Sequence, residues 1–192
     1  EPLGESLLRH YPKTRLVLQQ DKDWAEREGM DKLPRPRPLQ TTVREHGIRY
    51  QVQAGAGHKT GFFADQRDNR LTVRMLARNR HVLDLCCNSG GFALNAVKGG
   101  AASVLAGDLD EAMVAQTQAN ARDNDLALDC RHADAFDMLR ESRDGRHDLI
   151  VLDPPKWVAN KGEIDQGLQR YADLNRLGIE KVARGGVVVT CS

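Results

Sequence analysis

Four aspartates stand at or just past the ends of short segments that read as strands. They are Asp84 in HVLDLCC, Asp108 in SVLAGDLD, Asp134 in RHADAFD and Asp153 in DLIVLDPP. A carboxylate at such a position accepts hydrogen bonds from hydroxyls and amines, attracts cations, and can hold or release a proton. Asp84 opens the run Asp84-Leu85-Cys86-Cys87-Asn88-Ser89-Gly90-Gly91-Phe92. A turn of small residues that opens a helix lets backbone approach a ligand, and helix N-terminal amides can hold an anionic group. The dinucleotide G-x-G-x-x-G fingerprint is absent, because Asn88 occupies the place of an early glycine, and an acid at the strand end suits a cationic or amine-bearing ligand. Asp108 is placed to accept both ribose hydroxyls of a nucleoside, with Asp110 as the cap of the next helix. Asp134 reads either as an acceptor for an exocyclic adenine amine or as a helix cap. Asp153 is followed by Pro154, Pro155, Lys156 and Trp157. An acid followed by two prolines makes a rigid turn that holds a side chain and carbonyls at fixed positions.

These residues need strands to deliver them. From about residue 66 the chain alternates helix and strand, with strands expected near 82–86, 103–108, 128–132, 148–152 and 187–191. Helical crossovers between them predict an α/β, Rossmann-like, doubly wound parallel sheet, whose ligands bind outside the carboxyl ends of the strands. The first helix of this part, DQRDNRLTVRMLAR, has a capping acid and helix-period apolar positions at Leu71, Val73, Met75 and Leu76. Its arginines, Arg70, Arg74 and Arg78, together with Arg80, read either as a solvated face or as a nucleic-acid contact. Residues 1–57 read as a small β-rich N-terminal region, and residues 58–192 as the α/β domain that carries the ligand-binding strand ends. In the former, RLVLQQ suggests a short strand, and Pro34, Pro36 and Pro38 block helix and central strand alike. EHGIRYQVQA alternates Ile48, Tyr50 and Val52 against polar residues, the period of a half-buried strand.

The chain of 192 residues has 40% hydrophobic and 29% charged residues and a net charge of +1. This is the balance of an ordinary globular protein, and no apolar run approaches the length of a membrane span. The cysteines Cys86, Cys87, Cys130 and Cys191 lack the spacing of a zinc site or a disulfide framework, so no metal is expected. Adjacent Cys86 and Cys87 suggest reduced thiols and hence a cytoplasmic protein.

The constellation resembles class I methyltransferases that use S-adenosylmethionine. It is more similar still to the cytosine-C5 methyltransferases of large-subunit ribosomal RNA whose full-length members carry an N-terminal PUA domain. The stretches that carry this are REGM, EHGIRYQVQAGAGHKTGFFADQRDNR, LDLCCNSGGFALNA, DLIVLDPPKW, YADLNRLGIEKVARGG and VVVTCS, spanning roughly residues 10–192. GHKTGFFADQR is the most specific of them. The resemblance implies that Lys59, Thr60, Gly61 and Phe62 lie over the cofactor, and that Asp84, Asn88, Ser89 and Gly90 hold its methionine part. Asp108 then takes the ribose hydroxyls and Asp134 the adenine. Asp153 faces the target base where cofactor and substrate meet, with Pro154, Lys156 and Trp157 on the substrate side. It further implies RNA as partner. Two departures stand out: no PUA domain precedes residue 10, and the family continues past the last strand.

Methylating carbon 5 of a pyrimidine needs a thiolate that adds to C6 and a base that removes the C5 proton. Cys86 and Cys87, on a buried strand, and Cys130 read as structural. Counted from Gly185-Gly186, the family's nucleophile falls at position 193. The T-C-S triplet also matches the nucleophile motif of another group of RNA cytosine methyltransferases, which favours Cys191. Either position points to the same face of the last strand. Three alternatives stay open: a methyltransferase acting on a purine nitrogen, a non-catalytic fragment that binds cofactor or RNA, and a nucleotide-dependent dehydrogenase, which the cofactor turn disfavours.

Overall fold

The computed structural model describes residues 3–14, 16, 25–26, 28–31, 39–54 and 61–191. They fall into two compact units, one of residues 1–41 and 52–62, the other of residues 42–51 and 63–192. The expected division near residue 57 is thus crossed by the hairpin tip, 42–51, which groups with the larger unit.

The smaller unit contains a helix, α1 (Leu3–His10), within the region expected to be β-rich. Glu5 in its first turn and Arg9 and His10 in its last complement the helix dipole. The proposed RLVLQQ strand and the proline run lie outside the described residues, apart from Leu16. Strands β1 (Leu39–Glu45) and β2 (Ile48–Ala54) form a two-stranded antiparallel sheet around His46 and Gly47, both at positive φ. The predicted alternation on β2 holds, with Ile48, Tyr50 and Val52 all buried.

The larger unit is the doubly wound sheet. Its helices are α2 (Arg67–Leu76), α3 (Gly91–Lys98), α4 (Glu111–Asp123), α5 (Ala135–Glu141) and α6 (Ile164–Lys181). Its strands are β3 (His81–Leu85), β4 (Ser103–Asp108), β5 (Asp129–His132), β6 (His147–Leu152) and β7 (Val182–Thr190). They are all parallel, in the order β5-β4-β3-β6-β7. Strand periodicity divides the core between two faces. Val82, Val104, Ala106, Leu149 and Val151 pack with Val73, Ala77, Phe92 and Ala93 of the α2–α3 side. Leu83, Leu85, Ile150 and Leu152 pack with Met138, Leu139 and Leu174 of α5 and α6. Burying each such Leu or Ile contributes about 1.5–3 kcal/mol before the entropy cost of ordering it.

Two elements differ from expectation for identifiable reasons. The acid before α2 does not cap it; residues Ala64–Gln66 form a 3-10 turn, and Gln66 stands at the N-cap with its Oε1 accepting the Asn69 side-chain amide at 2.7 Å rather than a backbone N–H. The inward face of α2 carries Arg70, Val73 and Ala77, while Met75, expected inside, is 69% exposed. Strand β7 begins at Val182 rather than at 187, so it takes in the Gly pair that was expected to precede it. The register slips between His147↔Val182 and Leu149↔Val187, and Ala183–Gly186 form the irregularity that absorbs it.

Candidate active site

Strand parity brings the predicted residues to one face. Asp84 continues the side of Val82, Asp108 that of Val104 and Ala106, Asp153 that of Leu149 and Val151, and Cys191 that of Val187 and Val189. All four therefore sit at the carboxyl ends of adjacent strands, turned toward the α2–α3 side. Neighbouring strands lie about 4.8 Å apart, so the row from β4 to β7 spans roughly 14 Å. Backbone bonds extend the ladder past the strands: Asp153 N–H donates to the Leu85 carbonyl at 3.3 Å, and Cys191 N–H to the Leu152 carbonyl at 2.9 Å.

Asp84 is fully buried. Its Oδ2 accepts the Ala93 N–H at 2.8 Å, and its Oδ1 is buried without a hydrogen-bond partner among the described residues. Burial pushes its carboxyl well above the ordinary aspartate range, opposed by the Ala93 bond and reinforced by the Asp153 and Asp108 charges. Asp153 is half-buried and also raised, first by burial and then by Asp65, with Arg70 acting against the shift.

The turn after β3 contains a signal hidden from the sequence. Cys86, Asn88 and Gly90 have φ of 60°, 48° and 82°, alternate positions in the left-handed region that favours glycine. Alternating backbone hands curl a turn into a concavity lined by amides. Asn88 N–H donates to Asp108 Oδ2 at 2.8 Å, and Asn88 Oδ1 accepts the Ser89 N–H at 2.8 Å. Helix α4 clasps the turn from the far side: Thr117 Oγ1 donates to the Asn88 carbonyl at 2.8 Å, and Asn120 Nδ2 to the Ser89 carbonyl at 2.9 Å. A β carbon on Gly90 would lie 2.7 Å from Thr117 Cγ2. Thr117 and Asn120, both buried, were missed by sequence reasoning; their i,i+3 spacing on an otherwise polar helix was the available signal.

The other acids hold backbone amides at the strand ends. Asp108 Oδ1 accepts the Asp110 N–H at 2.9 Å, and Asp110 caps α4 through the Ala112 N–H at 2.9 Å. Asp134 caps α5 through the Phe136 N–H at 2.8 Å, a bond that occupies one of its two oxygens. Gly61 and Phe62 belong to the smaller unit, and Lys59 and Thr60 lie outside the described residues.

The thiol pKa values of Cys86, Cys87 and Cys191 are raised, that of Cys87 first by its hydrogen bond with Cys130 and then by burial, whereas that of Cys130 is lowered by the same hydrogen bond. Cys86 is pushed up to about 12, chiefly by burial and then by the charges of Asp108, Asp84, Asp153 and Asp134. Cys191 is buried at 7% exposure, and burial with the charges of Asp153, Asp84 and Asp65 likewise pushes it up to about 12. Two of the arginines read as a possible solvated face turn inward, while Arg78 is exposed: Arg70 is buried in a two-bond pair with Glu45, both bonds 2.7 Å. Arg74 donates to Asn95 Oδ1 at 3.0 Å and to the His46 carbonyl at 2.9 Å. Trp157 packs on the α5–α6 side, against Phe136 and Tyr171.

A parallel sheet with carboxylates along its carboxyl edge, a glycine-like turn after its first strand and no dinucleotide fingerprint defines the class I methyltransferase architecture. An orphaned, buried carboxylate oxygen next to a backbone concavity fits S-adenosylmethionine, whose ammonium would complete it. Sequence comparison agrees. Residues 14–192 match the S-adenosylmethionine-dependent methyltransferase family model, and the chain belongs to that family. It is 32% identical, over its whole length, to the ribosomal RNA large subunit methyltransferase I of Vibrio cholerae, and 34% identical over 99% of its length to the protein of that name from Citrobacter koseri. It spans 51% and 50% of those two relatives, about half their length. A solved structure of the methyltransferase SMU.776 in complex with SAH superposes with a TM-score of 0.69 at 28% identity, covering 84% of this chain and 43% of that one.

Proposed function

We propose that the chain is the catalytic part of an S-adenosylmethionine-dependent methyltransferase of large-subunit ribosomal RNA that forms 5-methylcytosine through a covalent cysteine adduct. The observation that carries this reading is the row Asp108–Asp84–Asp153–Cys191 on one face of four adjacent strand ends. Asp84 and the Asn88–Gly90 turn would hold the amino-acid end of the cofactor, Asp108 its ribose and Asp134 its adenine. Bound S-adenosylmethionine supplies an electrophilic methyl group. Lys156 and the Pro154 turn would steady the RNA, and Asp153 would hydrogen-bond the base edge.

In this scheme the Cys191 sulfur bonds to C6, and the electron pair of the C5–C6 double bond moves to C5. Once C5 carries the methyl group, loss of its proton to a base expels the sulfur and restores the double bond. A thiol pushed up to about 12 cannot attack unaided, so its proton must pass to an acceptor when the base arrives. That same protonated thiol favours a second reading, methylation of a purine nitrogen, in which Asp153 and the proline-turn carbonyls orient an amine and no cysteine takes part.

One experiment separates the two. The protein is incubated with large-subunit RNA and tritiated cofactor, and the nucleosides are identified by mass spectrometry. A methylated purine with unmodified cytosine would sink the first reading. RNA containing 5-fluorocytidine should trap a covalent complex that Cys191→Ala abolishes. Trapping that survives Cys191→Ala would assign the adduct to another thiol.

A further inference from the structure

The segment from Asp153 to Trp157 has little backbone support of its own. After the Asp153 N–H bond to Leu85, two prolines remove the next donors. One face of α6 supplies what is missing. Tyr171 donates its hydroxyl to the Pro155 carbonyl at 3.0 Å and accepts the Trp157 backbone N–H at 3.2 Å. A single hydroxyl thereby bridges the backbone on either side of Lys156, whose side chain is exposed. Four residues earlier on the helix, Gly167 is buried. A β carbon there would run into Val158 Cγ2 and stand 3.2 Å from the Trp157 carbonyl oxygen. Arg170 sets its guanidinium 4.7 Å from the centre of the Trp157 ring, and the Tyr171 ring centre is also 4.7 Å away. Phe136 of α5 stacks on the same indole at 6.2 Å. Positions 167, 170 and 171 share one helix face, so they form a mould for the segment. Trp157 is the anchor held in that mould, its ring already engaged by protein groups.

We infer that Tyr171 is a positioning residue: its hydroxyl fixes the Asp153–Trp157 turn, and through it the placement of the Asp153 carboxylate against the target base. The inference rests on the reading of Asp153 given above.

Two variants of the full chain test it. Tyr171→Phe keeps the ring and removes the hydroxyl; Gly167→Ala keeps the hydroxyl and displaces the segment. Both should lower kcat for methyl transfer to large-subunit RNA by roughly 10- to 100-fold, since sub-ångström to ångström misplacement costs that much. KM for the RNA and the dissociation constant of S-adenosylhomocysteine should stay within about twofold. The chain has two tryptophans, so in a Trp24→Phe background Trp157 reports alone, and acrylamide quenching of its emission should rise in both variants. A hydroxyl that serves stability only would lower Tm while leaving kcat and quenching unchanged, and that result overturns the inference. If the wild-type chain transfers no methyl group, the reading of Asp153 fails instead. Quenching still decides Tyr171 in that case, and an unchanged value overturns its role.

Discussion

Cys86 and Asn88 hold left-handed backbone where glycine is the unstrained residue. A non-glycine residue in that region is disfavoured by about 1–2 kcal/mol, and glycine returns about 0.5–1 kcal/mol of that through its freer unfolded chain. Cys86→Gly should therefore stabilise the protein by up to about 1 kcal/mol, read as a higher denaturant midpoint at constant slope. Asn88→Gly should gain less, because asparagine tolerates this region and its Oδ1 already accepts the Ser89 N–H. Equal destabilisation by both would show that the side chains outweigh the strain. These two positions also explain why the turn after β3 was only half legible. The acid and the Gly90-Gly91 pair announced it, but the left-handed alternation was occupied by residues that do not advertise it. Arg70 was illegible for a different reason. Helix periodicity assigns charge to solvent, and its partner Glu45 is remote in sequence. Side chains at 4% and 5% exposure make this pair costly to break from one side. Glu45→Gln should cost roughly 3–5 kcal/mol, and adding Arg70→Met should recover part of that loss. Additive losses in the double-mutant cycle would contradict the coupling.

At the scale of elements, β3, β4 and β6 were legible because short apolar runs between breakers leave few other readings, whereas the mostly exposed β5 was legible only from its place in the helix–strand alternation. The observed strands β3, β4, β5 and β6 begin and end within a residue of expectation. Strand β7 was legible only in its second half, since Ala-Arg-Gly-Gly reads as a breaker whereas the chain uses it as a bulge inside the strand. A β carbon on Gly186 would lie 2.8 Å from the carbonyl oxygens of both Ala183 and Asp148, and 2.7 Å from Val182 Cγ2. Backbone atoms cannot step aside as a side chain can. Gly186→Ala should cost about 1–3 kcal/mol and shift the register that delivers Cys191. Hydrogen exchange of the β7 amides would show it as faster opening of that strand than of β3. An unchanged exchange pattern would mean that the bulge tolerates the extra carbon.

At the scale of the whole molecule, two buried groups at opposite ends of the central strands β6 and β3, His147 and Asp84, shape the pH response with opposite signs. His147, at the start of β6, is 4% exposed with an unpartnered Nδ1 among the described residues. Burial lowers its pKa first, Arg146 and His81 add to the shift, and Asp148 opposes it. A histidine whose folded pKa is lowered binds fewer protons folded than unfolded, so its contribution is intact above about pH 6.5 and is lost as pH falls below it. Asp84 has the opposite sign. Its raised folded pKa gives stability below about pH 3.9, which is lost as pH rises through the folded value. The unliganded protein thus carries Asp84 as a standing cost near neutrality, concentrated where the cofactor's ammonium is proposed to sit. Cation binding there lowers the Asp84 pKa and releases a proton. Calorimetry of S-adenosylhomocysteine binding in buffers of different ionisation enthalpy, at a pH where Asp84 is partly protonated, should detect that release. Asp84→Asn should abolish the buffer dependence, weaken binding and raise the melting temperature of the unliganded protein. Buffer-independent binding by the wild type at every pH would place the ammonium elsewhere.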